Sequence, residues 1–306
     1  MSAPIGGQAV LEGVMMRGPG NWAVAVRKAD GAIAQVCRPI DSPMARHRVY
    51  RLPVVRGVVA LGESLAIGFR ALAISANYAA QEEGDGEEDV QTELSKWQLG
   101  IAFAIAIGFA LLLFKVGPAL LVDKLVPVHS GGWFVIIEGA VRVAIFVAYL
   151  ALISLLPDLR RVFQYHAAEH KAINAYEAGE PLEPEIVQRY SLIHPRCGTA
   201  FLLWVMVVAI FVYAFLGRPA WYWLIVSRIV LLPVIAGIAY ELIRFAGKHT
   251  GNRILMTILA PGLWLQRLTT REPTLDQLEV SIRALREVLD LEAAGAGDAQ
   301  RVEVMA

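Results

Sequence analysis

The chain has 306 residues, of which 56% are hydrophobic, and its mean hydropathy is +0.51. This apolar content exceeds that of ordinary soluble domains, so part of the chain is predicted to lie against lipid. The 28 basic and 28 acidic residues balance, which argues against nucleic acid, or an anionic surface, as the principal partner.

The first 53 residues are predicted to form a small cytoplasmic β-element with a glycine-rich start. Short alternating runs at 22–28 and 32–38 flank Asp30-Gly31, a dipeptide typical of β-hairpin turns. Residues 6–20 hold five glycines, which permit close backbone approach, and Glu12 and Arg17 could offer a carboxylate and a guanidinium to a site. A turn-rich segment without a functional role fits residues 6–20 equally well.

Residues 54–80 are apolar but carry Arg56, Glu63 and Arg70 at seven-residue intervals. This pattern favours an interfacial amphipathic helix over a membrane span. Residues 81–96 follow, with seven acidic side chains and no basic one between 81 and 93, and are predicted to be a solvated linker.

Four later runs are long enough to cross a bilayer, whose hydrocarbon core of ~30 Å requires about 20 helical residues. They cover residues 98–122, 133–156, 200–216 and 220–243, and are expected to form two transmembrane hairpins, within 97–156 and 200–243. Lysine and arginine are concentrated before the first hairpin, between the hairpins and after the second. The N-terminus, the connector 157–199 and the C-terminus are therefore predicted to be cytoplasmic.

Residues 244–292 are predicted to form cytoplasmic amphipathic helices, and residues 293–306 a disordered tail. The last helix is expected to begin near Thr274, where Thr-Leu-Asp-Gln makes a capping box. Its apolar stripe over 275–289 has to dock on the N-terminal domain or on a partner.

Charged residues inside the predicted spans are candidates for function or for structural ion pairs. Glu138 and Arg142 stand four residues apart and can neutralise each other. Arg228 lies near the middle of the last span and is expected to face the helix bundle, where Glu138 or Glu241 could compensate its charge. A functional role and a structural ion pair are equally open for Arg228.

The connector contains the pattern His-x-x-Glu-His at 166–170. Helical spacing places His166 and His170 on one face, one turn apart, so that both rings can meet one metal ion. In this inverted zincin pattern Glu169 is the general base acting on a water bound to the metal. The alternative is an interfacial helix whose histidines are hydrogen-bonded and bind no metal.

A catalytic zinc site requires a third protein ligand and an open position. Glu177 extends the histidine face of the helix, and His194 and Cys197 lie before the third span. Three of the six histidines and one of the two cysteines fall between residues 166 and 197. This concentration supports a metal site, while Cys197 as a small apolar residue at a helix start is the alternative.

Four motifs together, at 6–17, 166–171, 194–199 and 269–273, resemble those of the YqhQ-like family of bacterial membrane proteins. The resemblance extends over nearly the whole chain. It implies a predominantly α, polytopic protein of the bacterial cytoplasmic membrane, multi-pass with both termini inside. The family is a domain of unknown function, sometimes described as a predicted metal-dependent enzyme.

The leading hypothesis is a metal-dependent hydrolase site at the cytoplasmic membrane surface, with a divalent ion for which zinc is favoured. Its ligands would be the two connector histidines and either His194 or Cys197. Residues 6–20, together with Arg271 and Glu272, would close over the site.

The alternative, from another class, is a non-enzymatic factor for the assembly, insertion or quality control of membrane proteins. It is motivated by the apolar stripes at 54–76 and 275–289, which could be docking faces. Expected partners are the lipid bilayer and either other membrane proteins or a second copy of the chain. A transporter is less well supported, because few polar residues lie in the spans and no inverted repeat with broken helices is evident.

Overall fold

A computed structural model describes residues 4–80, 96–125, 131–216, 221–249 and 251–295. The strands are β1 (Gly6–Val10), β2 (Gly13–Arg17), β3 (Asn21–Arg27) and β4 (Ile33–Pro39). The helices are α1 (Pro43–Arg46), α2 (Val55–Ala80), α3 (Lys96–Leu111), α4 (Gly117–Leu125), α5 (Gly131–Ile153), α6 (Pro157–Ala178), α7 (Pro184–Val187), α8 (Gly198–Leu216), α9 (Trp221–Lys248), α10 (Arg253–Thr269) and α11 (Leu275–Ala294). A π-helical turn at Leu112–Val116 joins α3 to α4.

The strands form an antiparallel sheet in the order β1-β2-β3-β4. The predicted hairpin is confirmed as β3 and β4, with Gly31 at a φ of +82° in the turn and the Asp30 carboxylate accepting from the Ala32 amide. Residues 6–17, expected only as a glycine-rich segment, form the additional strands β1 and β2.

Both faces of the sheet are covered, which explains why β2 and β3 are buried along most of their length. Alternate side chains point to opposite faces of a strand. The face containing Val14 and Ala25 packs against α6 and α11, whereas Met15 and Trp22 on the other face pack against Ile67 in the second half of α2. The sheet therefore joins the start of the chain to its last helix.

Helix α11 docks within the protein. Its predicted capping box is present, with Thr274 and Gln277 each bonding the backbone of the other. Leu278 and Leu285 of its apolar stripe are fully buried against the sheet and α6. The docking surfaces considered for this stripe were the N-terminal domain and a partner. In the structure the stripe packs on the N-terminal sheet.

Within the described residues, five helical segments are long and apolar enough to cross a membrane. They are Val55–Ala79, Ala104–Lys124, Gly132–Ile153, Gly198–Leu216 and Val230–Lys248. The last four correspond to the predicted spans, while the first lies in α2, which the charge spacing predicts to be interfacial.

The first half of α2 packs on α9, where Gly57 approaches the Tyr240 ring and the Arg56 Nε lies 2.7 Å from a Glu241 oxygen. Glu241, considered above as a partner for Arg228, is thus bonded to Arg56. Glu138, the other residue considered, forms the predicted ion pair with Arg142.

Three predictions fall wholly or partly outside the described residues. The acidic linker 81–96 is covered only at residue 96, and the tail 293–306 only up to residue 295. The side chain of Arg228 is likewise outside the description, so its surroundings are not assigned.

Candidate metal centre

Helix α6 sets the spacing of the two connector histidines. It begins with Pro157 at its first turn and ends at Gly179, which adopts a left-handed conformation with a φ of 77°; both are typical helix-boundary residues. Between these ends the helix is continuous, so His166 and His170 stack one turn apart with ring centroids 4.4 Å from each other.

The third member of the cluster, Cys197, lies immediately before α8. Its Sγ is 3.3 Å from His166 Nε2 and 3.4 Å from the amide nitrogen of Thr199, so the sulfur sits at the positive end of the helix. One ligand atom from each of His166, His170 and Cys197 lies within 4.8 Å of the others. Such a grouping can hold one metal ion.

Backbone carbonyl groups orient both imidazole rings. His166 Nδ1 lies 2.8 Å from the Thr269 oxygen, and His170 Nδ1 lies 2.5 Å from the Leu192 oxygen. A carbonyl oxygen only accepts hydrogen bonds, so each Nδ1 carries a hydrogen and each Nε2 is left as the ligand atom. Metal-binding histidines are characteristically held in this way by a second group.

The electrostatics of the cluster favour charge separation between its members. Burial opposes a charge on His166, but the neighbouring Cys197 thiolate outweighs it and raises the pKa of His166 to about 9. Burial also opposes a charge on Cys197, yet contacts with His166 and His170 hold its pKa well below that of an ordinary thiol. Without a metal, these opposite pKa shifts favour a thiolate at Cys197 and an imidazolium at His166.

Glu169 projects beside the cluster, with a carboxylate oxygen 3.8 Å from His170 Nε2. The side chain is buried, and strand β1 passes directly over it at Gly7. A Cβ at position 7 would lie 2.7 Å from the Glu169 Cγ, closer than atoms can approach. The absence of a side chain at Gly7 is thus what allows the sheet edge and the Glu169 carboxylate to share this space.

A cavity of about 440 Å³ opens onto the cluster. Its walls come from β1, β2, α2, α6 and the first turns of α8. His166, His170, Glu169 and Cys197 all contribute to the lining, so the candidate ligands and the candidate base face one space. Ligand-binding cavities have volumes of about 300–1,000 Å³, and this cavity falls in that range.

His194 and Glu177 lie next to the cluster and contact each other, their Nε2 and Oε2 atoms being 3.5 Å apart. The His194 ring centroid is 5.9 Å from that of His170. Burial lowers the pKa of His194, and Arg196, which also binds Glu177, lowers it further. The structure thus brings Cys197 into the group with His166, and places His194 behind it.

Glu177 is held as a carboxylate. Burial would raise its pKa, but contacts with His194 and Arg196 lower it to about 2. Neither ring nitrogen of the buried His194 has a hydrogen-bond partner in the described part of the chain, although a Glu177 oxygen lies 3.5 Å from its Nε2.

The glycine-rich segment contributes to the cavity through the strands it forms. Arg17 lines the cavity, where its guanidinium bonds Glu63 and Ser64 of α2. Glu12 lies in the turn between β1 and β2 with a φ of 51° and forms an ion pair with Arg161. The structure therefore separates the two candidates, with Arg17 in the cavity wall and Glu12 outside it.

Arg271 and Glu272 run along α6 without lining the cavity. The Arg271 amide donates to the Phe163 carbonyl, and its guanidinium bonds carbonyl groups of its own segment. Glu272 bonds the Lys171 ammonium at 2.7 Å and the Gln188 amide at 2.8 Å. Both residues fasten the 269–273 segment, which in turn presents the carbonyl that orients His166.

Sequence reasoning did not single out the groups that orient the two rings. Thr269 belongs to the motif at 269–273 that supports the family resemblance. The motif marks the residue as important but does not indicate that its carbonyl orients a histidine. The Leu192 carbonyl had no signal, because any residue type can present a backbone oxygen. Ser64 and Gln8 in the cavity wall were likewise missed.

Fold and site together define a predominantly helical protein with apolar helices typical of membrane proteins, an N-terminal antiparallel sheet and a His/His/Cys group able to hold a metal ion. The chain belongs to the family described as Protein of unknown function (DUF1385), which matches residues 52–291. It is 35% identical over 295 residues to the uncharacterized protein YqhQ of Bacillus subtilis (strain 168), covering 94% of this chain and 93% of that protein. The resemblance to a YqhQ-like family is thereby confirmed. No solved structure matches the chain.

Proposed function

We propose that this protein is a metal-dependent hydrolase whose site lies at the cytoplasmic surface of the bacterial membrane. The observation that carries the proposal is the fixation of both Nδ1 atoms by the Thr269 and Leu192 carbonyls, which turns the two Nε2 atoms toward the Cys197 sulfur. A hydrogen-bonded helix without a metal role gives no reason for this convergence.

The donor set fits a divalent transition metal, and zinc in particular. Two imidazole nitrogens and one thiolate suit zinc far better than magnesium or calcium, which take oxygen ligands. Three protein ligands leave one position of a tetrahedral ion open, as catalytic zinc sites require. The open position would face the cavity, because all three side chains line it.

In this proposal the ion supplies Lewis acidity and lowers the pKa of a bound water. The remaining chemistry is assigned to residues of the chain. Glu169, beside the His170 Nε2 and facing the cavity, holds the proton that leaves the nucleophilic water and delivers it to the leaving group. The walls of the cavity position the substrate and exclude bulk water.

Packing of the sheet supports a cytoplasmic site and an interfacial α2. The sheet, α6 and α11 share one hydrophobic core, so they lie on the same side of any membrane. The chain must then cross an even number of times between residue 39 and residue 157. The α3–α4 segment and α5 provide two crossings, which leaves none for α2, and Ile67 in α2 packs on the sheet itself. The basic residues of 157–199 favour the cytoplasm as that side.

A cysteine-dependent acyl transferase or hydrolase is a second candidate, favoured by the 3.3 Å contact between Cys197 Sγ and His166 Nε2. A thiolate paired with an imidazolium is the resting state of cysteine nucleophiles. The hypothesis of a non-enzymatic assembly factor is weakened, because one of the two apolar stripes that supported it, the stripe on α11, is buried within the protein.

Metal analysis of the purified protein tests the proposal. We expect one equivalent of zinc per chain in the wild type, and its loss in His166→Ala and His170→Ala. His249→Ala is the matched control, since His249 is exposed, follows the end of α9 and contacts Phe245 of that helix. Absence of metal from wild-type protein that has been purified without chelators and given zinc would overturn the proposal.

Cys197→His separates the two candidates. It replaces the thiolate by a third imidazole, which zinc accepts equally, but removes the nucleophilic sulfur. Retained zinc together with retained turnover supports the metal mechanism. Loss of all turnover with zinc retained supports the cysteine nucleophile.

A further inference from the structure

Much of the cavity lining beside the ligands is apolar and comes from α2, α6 and the start of α8. The large apolar side chains of these helices in the lining are those of Leu61, Leu65, Val162, Phe163, Phe201 and Leu202. Leu65 and Leu202 are 52% and 49% exposed, so they form a rim between α2 and α8 as well as a wall. Leu202 lies one turn inside a helix apolar enough to span the membrane, so the rim continues into a surface that would face lipid.

Arg17 adds a polar group to the cavity wall beside the ligand cluster. Its side chain is only 1% exposed, and its guanidinium bonds Glu63 and Ser64 of α2. The cavity therefore has a polar part at Arg17 and the ligand cluster, next to its apolar lining.

The volume decides which apolar occupant fits. A helix is about 10–12 Å wide with its side chains and rises 5.4 Å per turn, so a single turn already occupies roughly 420–610 Å³. The cavity of about 440 Å³ would hold one turn of a membrane-spanning peptide at most. An extended acyl chain is only a few ångströms across, so the volume accommodates it more readily than a helix.

We propose that the substrate is an acyl-chain amphiphile drawn from the membrane and cleaved at an ester or amide bond. The acyl chain lies between Leu65 and Leu202, the carbonyl group lies at the histidine cluster, and the head group lies on the polar side of the cavity near Arg17. The inference rests on the proposed hydrolase function. Cleavage breaks the acyl C–O or C–N bond; water gives its hydroxyl to the acyl carbon and its proton to the departing oxygen or nitrogen, so no further reactant is needed.

Photolabelling of the full-length protein in vesicles tests this assignment. One set of vesicles contains phosphatidylglycerol with a diazirine in one acyl chain, and the other contains unlabelled phosphatidylglycerol with a free diazirine fatty acid. We expect label on Phe163 and Phe201, which are 9% and 5% exposed and therefore poorly accessible to surrounding lipid. Because the active protein would release the labelled fatty acid from the lipid, the source is assigned in the zinc-free His166→Ala protein. There, label from the first set identifies a lipid ester as the source, and label from the second a free acyl chain.

Leu202→Trp fills the rim and is expected to abolish labelling of both phenylalanines. Leu216→Trp is the matched control, because Leu216 lies on the same helix, is 45% exposed and is not part of the cavity. Label confined to exposed residues, or label on Phe201 that survives Leu202→Trp, overturns the inference.

Labelling in the zinc-free His166→Ala protein keeps the two proposals separate. We expect the label to remain, because His166→Ala leaves the apolar side chains that contact the acyl chain unchanged. Stoichiometric zinc with unlabelled phenylalanines refutes the substrate class and leaves the hydrolase intact. Labelled phenylalanines in a wild-type protein that binds no zinc refute the hydrolase instead.

Discussion

Lowering the pH should weaken zinc binding by a defined amount, because the proton shared by His166 and Cys197 occupies the position of the ion. The Cys197 thiolate raises the pKa of His166 to about 9, so below that pH each bound ion displaces one proton from the pair. The apparent association constant should therefore rise about tenfold per pH unit, or about 1.4 kcal/mol, and level off above pH 9. At pH 7, competition by the proton should lower the apparent association constant for zinc roughly 100-fold relative to its value above pH 9.

Competition with a chromogenic chelator between pH 6 and 8 measures this slope, and calorimetry in buffers of different ionisation enthalpy counts the displaced proton. The control is Cys197→Ala, which removes the thiolate that keeps the proton on His166. Its affinity should be lower, but its pH dependence should flatten above the ordinary histidine range near 6.5. A wild-type affinity independent of pH, or the release of two protons, would refute the assigned charge state.

Three further predictions concern the surroundings of the site. Gly7→Ala should force Glu169 from the cavity wall and lower the free energy of unfolding by about 1–3 kcal/mol without removing zinc, as thermal unfolding with metal analysis would show. Leu285→Ala, at a fully buried position of α11, should cost about 2–5 kcal/mol of stability, whereas Leu275→Ala, at a position 46% exposed, should cost little in the same denaturant titration. A cysteine at the exposed Glu180 should react with a membrane-impermeant maleimide only in inverted vesicles; labelling in intact cells contradicts a cytoplasmic site.

The features of the fold that could be predicted are those that depend on residues close together in the sequence. The turn at Asp30-Gly31, the capping box at Thr274 and the four strongly apolar runs each depend on residues close in sequence, and each is present in the structure. Strand β2 was missed because it is buried along its whole length, so its side chains show no alternation of polar and apolar residues to signal a strand. Strand β1 has only five residues and begins with two glycines, which weaken the signal of a strand.

The candidate site was predictable only as far as one helix extends. The spacing of His166 and His170 follows from helical geometry, but the choice between Cys197 and His194 depends on how the chain turns before α8. In the structure that turn places the Cys197 sulfur at the helix start and buries His194 against Glu177. Long-range placement of this kind leaves no local pattern, and the orienting carbonyls leave none either.

The position of the site ties its geometry to the contact between the sheet body and the membrane helices. Two ligands come from α6, whose buried face belongs to the sheet core, while the third comes from the residue before α8. The Thr269 carbonyl that orients His166 ends α10, which packs on α8 where Gly262 meets Trp204. A shift of α8 relative to α6 would therefore move Cys197 and the mouth of the cavity together. In the proposed function, entry of an acyl chain beside α8 and assembly of the metal ligands would depend on the same helix contact, as expected of an enzyme that acts on substrates held in the membrane.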